Sequence, residues 1–503
     1  MKKFYKQFLF TTGLLIITLG VFGQDAALKP VAKMVAETRN AGIPFKKAEP
    51  FTPQINSPYK ISTSTFAKDI TFASLSSESV KTLFTNKSAA MELSIPYKES
   101  AITLDLVQVN IFADGFELLS SADGGKVENF NPGVYYQGTI KDDPASLVAI
   151  SIFEDEIMGV ISSSDKGNIN VGRYGKGLKS DYMIYSDWDV IVNPASLGCA
   201  TADNPDYLDE FHQLMEIEGS SRITNCPKIY FEADYQLYQN KGSVTATANY
   251  ITGIYNNSAV IYTNESVPTQ ISTIFVWSTA DGYASGSSFD ALNSFMAFRT
   301  SFTGDIAHLV ALDPGGLGGV AATINGLCNS YKYCYSDIDA TYNDFPTYSW
   351  TVMVVTHEMG HLFGSYHTQN CGAWVGGALD NCYATEGGCP AGPAPVGGGT
   401  IMSYCHLTGY GINLANGFGV QPGNAIRNTI SAAGCVTSCG GVPAYCLSKG
   451  ISTADEWLQT VTVNGTTKNS GNNSGYADFT ATTINLTPGV SAGFTLTPGY
   501  TGT

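Results

Sequence analysis

Two histidines and a glutamate in the C-terminal half of the chain have the spacing of a hydrolytic metal site. His357 and His361 are four residues apart, so on a helix they project from the same side, one turn apart. Two imidazole nitrogens in this arrangement suit one zinc ion, and Glu358 beside them can take a proton from a water held by the metal. The apolar run 350–355 predicts the required helix, with Ser349 as its N-cap.

A third imidazole follows the predicted helix. Gly364 can end the helix at a positive φ angle, which turns the chain so that His367 reaches the same ion. Three imidazoles leave one coordination position open for a reacting water, whereas a structural zinc site is closed by four protein ligands. The alternative is a pair of helix histidines satisfied inside an apolar core. The five fixed positions of H-E-x-x-H-x-x-G-x-x-H favour one catalytic Zn²⁺ ion, and they leave any calcium site open.

This pattern is the metzincin signature, and a second motif adds to the resemblance. Residues 400–404 (Thr-Ile-Met-Ser-Tyr) resemble the Met-turn, in which a methionine, here Met402, packs beneath the zinc ligands. Tyr404 resembles the tyrosine that astacins and serralysins place near the metal as an extra ligand or transition-state stabiliser. A hydroxyl bonded to a neighbouring loop is the alternative role for Tyr404.

Within that clan, residues 226–436 resemble the adamalysin, or reprolysin, branch of secreted bacterial type. Residues 305–309 resemble one of its strands, which makes His308 a core residue rather than a ligand, and a later segment resembles its substrate-pairing edge strand. Thr368 departs from the aspartate that follows the third histidine in adamalysins and is similar to pappalysins. The resemblance implies four residues that pair with an extended substrate, namely Gly318, Gly319, Val320 and Ala321.

The rest of the chain divides around this segment. Residues 1–23 have a basic start, an apolar stretch and a small-residue cleavage site, which is typical of a secretory signal peptide. Residues 24–225 alternate short apolar strands with turns and resemble the adamalysin propeptide near residues 135–138, an unrelated β-domain being the alternative. Residues 437–503 turn to Thr, Ser, Asn and Gly and resemble the start of a GEVED module, so we expect a linker and a truncated β-module there.

Strands and helices alternate between residues 226 and 436, which predicts an α+β fold. We expect a metzincin catalytic domain with a twisted mixed sheet, long helices and a zinc cleft, preceded by a β-rich propeptide and followed by a partial β-sandwich module. The predicted strands are 229–233, 271–277 and 307–312, and the predicted helices are 243–262, 289–300 and 422–433.

The 11 cysteines would enter an oxidising compartment after export, where disulfide bonds persist. Their odd number leaves at least one without an internal partner. The resemblance to adamalysins implies a bridge between Cys328 and Cys435. Four further cysteines around the long loop after the third histidine can pair among themselves in three ways; they are Cys371, Cys382, Cys389 and Cys405.

Cys199 is a candidate latency switch by resemblance, because related zymogens place one unpaired propeptide cysteine on the catalytic zinc. A thiolate is a good zinc ligand and would displace the water needed for attack. A disulfide to Cys226, or to another cysteine of the protease segment, is the alternative for Cys199.

Charge and hydropathy exclude some partners. The formal net charge is −16 (27 basic minus 43 acidic residues), so a nucleic-acid partner is not expected, because phosphate binding needs a basic surface. No stretch after the signal peptide is apolar for long enough to span a bilayer. We expect a secreted monomer that acts on protein or peptide substrates.

These observations predict a secreted zinc-dependent endopeptidase made as a zymogen, in which Glu358 is the general base for a zinc-activated water. The alternatives are a non-catalytic adhesin or binding protein on a protease-like fold, and a zinc amidase that acts on small molecules. The intact Glu358 favours an enzyme, because a binding module has no need of a base beside the metal.

Overall fold

The computed structural model describes residues 28–501 with short gaps, and the predicted signal peptide lies outside the described residues. The gaps are 123–124, 128–129, 192–198, 203, 217–222, 285, 313–317, 339–344, 347, 440–451, 474–476, 478, 480–483 and 485–490.

The N-terminal part is built mainly from short strands. In chain order its elements are α1 (Pro30–Asn40), β1 (Lys46–Ala48), β2 (Phe51–Pro53), α2 (Lys60–Thr63), β3 (Thr71–Leu75), α3 (Ser77–Asn86), β4 (Ala90–Tyr97), β5 (Ser100–Val109), β6 (Phe112–Ser120), β7 (Val134–Ile140), β8 (Asp143–Ile152), β9 (Ile157–Ser163), β10 (Gly167–Arg173) and β11 (Asp181–Ser186).

The following part alternates helices and strands, as the sequence predicts. Its elements are α4 (Leu208–Glu216), β12 (Lys228–Ala233), α5 (Tyr235–Lys241), α6 (Val244–Asn264), β13 (Gln270–Val276), α7 (Ser288–Phe298), β14 (Ile306–Ala311), β15 (Gly319–Ala321), β16 (Tyr333–Asp337), α8 (Tyr348–Leu362) and α9 (Val420–Ala432). The C-terminal strands are β17 (Glu456–Val463), β18 (Thr466–Asn469) and β19 (Phe494–Tyr500).

Ten strands of the N-terminal part form a curled sheet in the order β1-β4-β5-β7-β8-β9-β10-β11-β3-β2. Neighbouring strands are antiparallel except β1 and β4, which are parallel. Leu104, Ile150 and Ile161 belong to a buried apolar cluster, to which α3 contributes Val80 and Phe84. The apolar side chains that the sequence concentrates in these strands are thus buried. The role of this region as a propeptide stays a prediction.

A six-stranded mixed sheet, in the order β15-β16-β14-β12-β13-β6, underlies the second part. Its strands are parallel except β15, which is antiparallel to β16 at one edge. The predicted strands and helices of this part are present, with ends shifted by one or two residues. Helix α9, for example, begins at Val420 and places Pro422 in its first turn, where the missing N–H would have no partner within the helix.

Strand β6 lies in the N-terminal part of the sequence but belongs to the second sheet. It runs parallel to β13, with Glu117 opposite Thr273 and Ser120 opposite Val276. The local sequence of β6 is compatible with either sheet. Only the tertiary structure decides with which strand it pairs. The predicted boundary near residue 225 therefore does not separate the two sheets, and the domain limits stay predictions.

Helix α6 lies between the two sheets and is buried around most of its circumference. It packs against β8 on one side and against β13 and α8 on the other. Asn256 satisfies its amide by donating from Nδ2 to Tyr136 O at 3.3 Å and to Ile150 O at 3.2 Å. Met158 of β9 and Ile251 of α6 lie in the same buried cluster. The two parts of the chain thus share one hydrophobic core.

The C-terminal strands form a small antiparallel sheet in the order β18-β17-β19. Phe494, Leu496 and Tyr500 on β19 are exposed. The assignment of this region to a partial β-sandwich stays a prediction. None of the described helices is both long enough and apolar enough to cross a membrane.

Four disulfide bonds join described cysteines of the second part, which fits an extracellular protein. Cys328–Cys435 confirms the bridge implied by resemblance, and the loop cysteines take one of their three pairings. The alternative of a Cys199–Cys226 bond is wrong, because Cys226 is bonded to Cys439. Among the described residues Cys199 and Cys334 are free thiols. Cys446 falls in the gap at residues 440–451. The bonds are Cys226–Cys439, Cys328–Cys435, Cys371–Cys389 and Cys382–Cys405.

Candidate metal and catalytic centre

Helix α8 carries the first two histidines and the glutamate, and its start differs from the prediction. The helix begins at Tyr348, so Ser349 lies inside its first turn and is not the N-cap. The backbone N–H of Ser349 instead donates to Asn170 Oδ1 at 2.8 Å, so a side chain from β10 performs a capping role. A cap that comes from a strand so distant in sequence has no local signal.

The three imidazole rings meet at one point. His361 Nε2 lies 3.1 Å from both His357 Nε2 and His367 Nε2, and all three rings are buried. His357 Nδ1 faces Ile401 O at 2.7 Å, and His361 Nδ1 faces Ser365 O at 2.8 Å. Because carbonyl oxygens only accept, this network assigns the proton to Nδ1 and leaves a lone pair on Nε2. Burial lowers the pKa of His357 and His361 far below the ordinary value, so both rings are neutral.

Two glycines bring the third histidine and the predicted Met-turn close to the helix. Gly364 has a φ of 95° and its N–H donates to His361 O at 2.9 Å, so the helix ends there as the sequence predicts. Gly360 faces the fully buried Met402, and a Cβ at Gly360 would lie 2.7 Å from the Met402 sulfur. The methionine therefore packs directly against the helix that carries the first two histidines.

The donor set fits one zinc ion. Lone pairs aimed at one another repel unless a cation lies between them, and neutral imidazoles are ordinary zinc ligands. In a tetrahedral site with Zn–N distances of about 2.0–2.1 Å, neighbouring nitrogens are about 3.3 Å apart, close to the separations observed here. A fourth donor is nearby, because the ligand atoms of Cys199 and the three histidines all lie within 4.8 Å of one another.

Glu358 lies beside the histidines with its carboxylate fully buried. Burial raises the pKa of Glu358 to about 8. Its Oε2 accepts hydrogen bonds from Thr201 Oγ1 at 3.2 Å and from Cys199 Sγ at 3.4 Å. A Cβ at Gly319 would collide with Oε1, so the absence of a side chain there lets the edge strand β15 approach the carboxylate.

A short segment of the N-terminal part occupies the cleft beside β15. Cys199 pairs in parallel with Gly319, and the Ala200 N–H donates to Gly319 O at 3.0 Å. The Ala321 N–H donates to Thr201 Oγ1 at 2.8 Å. The structure thus brings the candidate switch to the predicted substrate-pairing strand, where it takes a place suited to an extended peptide.

Cys199 contacts both the histidine centre and Tyr404. Cys199 Sγ is 3.4 Å from His361 Nε2. The Tyr404 hydroxyl donates to Cys199 O at 2.7 Å and lies 3.4 Å from His367 Nε2. The hydroxyl is therefore bonded to a backbone carbonyl while it lies next to the histidine centre.

The other residues considered in the sequence lie in or next to the six-stranded sheet. Gly318 precedes β15 and its carbonyl accepts from the Asp337 N–H at 2.6 Å, while Val320 is fully buried in the sheet. His308 is a core residue, as predicted, because it is fully buried and its Nε2 lies 2.8 Å from Ser336 Oγ. Burial lowers the pKa of His308 to about 3, so the ring is neutral.

Sequence reasoning missed two polar residues at the centre. Thr201 contacts the Glu358 carboxylate, as described above, and Glu386 Oε1 lies 3.2 Å from His367 Nδ1. Neither residue belongs to a local motif. For Glu386 the one available signal is its position inside a cysteine-flanked loop that follows the third histidine, and for Thr201 it is closeness to Cys199.

A cavity of about 610 Å³ opens beside the centre. Trp350, Met353 and His406 line this cavity and also line the small space next to His357 and Glu358. The N-terminal part supplies further lining residues, namely Asn168, Tyr185 and Trp188.

Comparison with known proteins agrees with a metallopeptidase segment. Residues 224–411 match the Reprolysin_5 family model of metallo-peptidase family M12, and this range includes the three histidines and Glu358. Among solved structures the chain is similar to metalloproteinase-II from Bacteroides fragilis, with 13% identity over 56% of this chain and 83% of that chain and a TM-score of 0.34. A search of curated proteins gives no match. Over residues 224–411 the chain is thus similar to the zinc-dependent peptidases of family M12.

Proposed function

We propose that this chain is the precursor of a secreted zinc-dependent endopeptidase of metzincin type. The observation that carries the proposal is the meeting of three buried imidazole Nε2 atoms beside one buried carboxylate. His357, His361 and His367 would hold the metal, with Met402 packed beneath them. A closed four-ligand site would not need Glu358, which is why the arrangement supports catalysis.

The chemistry divides between the metal and the side chains. A zinc ion, when bound, lowers the pKa of a coordinated water and polarises the carbonyl of the bond to be cleaved. Glu358 accepts the proton of the attacking water and delivers it to the leaving amine. Tyr404, once its hydroxyl no longer donates to Cys199 O, can donate to the oxygen on which negative charge develops.

Substrate binding would use the edge strand β15. The carbonyl of Gly319 and the N–H of Ala321 already bind an extended segment of this chain, so a substrate peptide can use the same groups. Side chains of a substrate would enter the cavity beside Trp350 and Met353, which has the size of an ordinary ligand pocket. A strand edge that binds an extended backbone favours proteins and peptides over small amides.

The described chain has the contacts expected of a latent form. The segment at Cys199 covers the strand edge, places a thiol beside His361 and engages Glu358 through Thr201. A thiolate on the metal would close the coordination position that a reacting water needs. We propose that Cys199 is the latency switch and that residues 24–225 act as the propeptide.

Proteolysis tests this function. An unrelated serine protease digests the N-terminal part of the full chain and is then inhibited, and casein hydrolysis is measured once a gel shows that this part is gone. We expect hydrolysis that a zinc chelator abolishes and added zinc restores, and none from the Glu358→Gln chain treated in the same way. A zinc-loaded product that binds proteins but never cleaves them would favour the adhesin.

A further inference from the structure

Each histidine of the centre is oriented through its Nδ1 atom, but the three acceptors differ in chemistry. His357 and His361 face neutral backbone carbonyls, those of Ile401 and Ser365. His367 faces a carboxylate oxygen, Oε1 of Glu386, at 3.2 Å. A carboxylate attracts the Nδ1 proton more strongly than a carbonyl does, which makes Nε2 of the same ring a better donor to a metal.

The chain holds Glu386 against the segment that carries His367. Residues 369–371 and Glu386 are joined by two backbone hydrogen bonds: the Cys371 N–H donates to Glu386 O at 2.8 Å, and the Glu386 N–H donates to Gln369 O at 3.0 Å. The Cys371–Cys389 disulfide closes the loop around this pairing. The carboxylate is therefore fixed relative to the imidazole, although 19 residues separate them.

The carboxylate is also oriented by a second donor. Gln369 Nε2 donates to the same Oε1 atom at 3.0 Å, and the Gln369 side chain is fully buried. The His367 side chain is 5% exposed and that of Glu386 is 30% exposed. The buried Gln369 amide holds Oε1 toward the His367 ring. This carboxylate therefore has less freedom to move than a carboxylate in an ion pair that faces solvent.

We propose that Glu386 is a positioning residue that fixes the Nδ1-protonated tautomer and the orientation of His367, and so sets the affinity of the centre for zinc. This inference rests on the proposed zinc function and extends it to a residue outside the histidine motif. A partner of this kind commonly changes metal affinity by about 10- to 100-fold when it is removed.

The test compares Glu386→Ala and Glu386→Gln with Thr385→Ala in the full chain. Glu386→Gln keeps an oxygen acceptor without the charge, whereas Thr385→Ala removes only a hydrogen bond to Cys389 O within the same loop. Zinc affinity is measured by competition of the metal-free protein with a chromophoric chelator, and circular dichroism and thermal unfolding of the metal-free protein check folding.

We expect Glu386→Ala to weaken zinc binding by about 10- to 100-fold, Glu386→Gln to weaken it less, and Thr385→Ala to leave it within about threefold. Equal affinity of all four proteins would overturn the proposal, as would equal losses in Glu386→Ala and Thr385→Ala, which would mean that only loop structure matters. Should Glu386→Ala not fold, the comparison of Glu386→Gln with Thr385→Ala decides by the same criteria. If the unmodified chain itself fails to bind stoichiometric zinc, the proposed function is wrong instead.

Discussion

At the scale of single residues, the centre separates metal binding from proton transfer. The three histidines contribute converging ring nitrogens, and Glu358 contributes a carboxylate that lies beside them without being one of the converging donors. A substitution at Glu358 should therefore change the chemistry and leave the metal in place.

We expect Glu358→Gln to retain zinc and to lose nearly all hydrolysis. Glutamine has the same shape but cannot accept a proton, so the loss should exceed the roughly 10²–10⁴-fold typical of acid–base catalysis alone, because activation of the water also suffers. Bound zinc and casein hydrolysis are measured on the same preparation. Near-normal hydrolysis in this variant would refute the assignment of the base.

His367→Ala provides the matched comparison, because it should lose metal as well as activity. Two imidazoles hold zinc poorly compared with three. Retention of both stoichiometric zinc and activity in His367→Ala would contradict the role of the third ligand.

Residues 199–201, the latent segment, contact the centre through two side chains, those of Cys199 and Thr201. We expect Cys199→Ser in the unprocessed chain to cause premature peptide hydrolysis and to remove sulfur from the metal's coordination shell. X-ray absorption of the zinc-loaded precursor and a fluorogenic peptide assay measure these effects. An inert precursor with only nitrogen and oxygen coordination, with and without the substitution, would leave steric cover as the source of latency.

At the scale of elements, the end of α8 decides where the third histidine lies. Gly364 has a left-handed φ of 95°, and a Cβ there would collide with the Thr429 side chain on α9. Both the backbone conformation and the packing therefore require glycine.

Gly364→Ala should lower the free energy of unfolding by about 1–3 kcal/mol and should also weaken zinc binding, since His367 would shift with the turn. Denaturant unfolding and chelator competition measure the two effects. Gly434→Ala is the control, because a Cβ at Gly434 meets no atom within 4 Å. If the two variants were equally stable and bound zinc equally well, the turn would not depend on this glycine.

At the scale of the whole molecule, the N-terminal part is joined to the second part by more than the latent segment. Strand β6 completes one edge of the six-stranded sheet, and α6 packs between the two sheets in a shared core. These contacts do not depend on the peptide connection near residue 222. Because the two parts bury apolar side chains in one shared core, we expect them to stay associated even when the chain between them is cut.

Cleavage at a specific protease site inserted within residues 217–222 should therefore leave the two fragments associated. We expect them to elute together from a size-exclusion column under native conditions and to separate in denaturant, with little hydrolysis of casein before the N-terminal fragment is removed. The uncut chain is the reference. Prompt separation of the fragments and full activity after the single cut would show that the latent segment alone connects the two parts.

The sequence predicted correctly those structural features that depend on residues close together in the chain. The six predicted helices and strands between 226 and 436 follow from the sequence pattern to within two residues, and the turn at Gly364 follows from the freedom of glycine at positive φ. The histidine spacing predicted a convergence that the helix geometry produces by itself, because residues four apart share one face. The adamalysin resemblance added the Cys328–Cys435 bond, which spacing alone does not specify.

Only the tertiary structure decided the features that join distant segments. Asn170 caps α8, β6 enters the six-stranded sheet, Thr201 engages Glu358, and Glu386 faces His367. Each of these contacts depends on a pairing of chain segments rather than on a residue's immediate neighbours, and many sequences of similar local pattern would suit other pairings. The local sequence around the histidines thus determines which metal chemistry is available. The packing of the two sheets determines which groups orient the histidines and which groups cover the site.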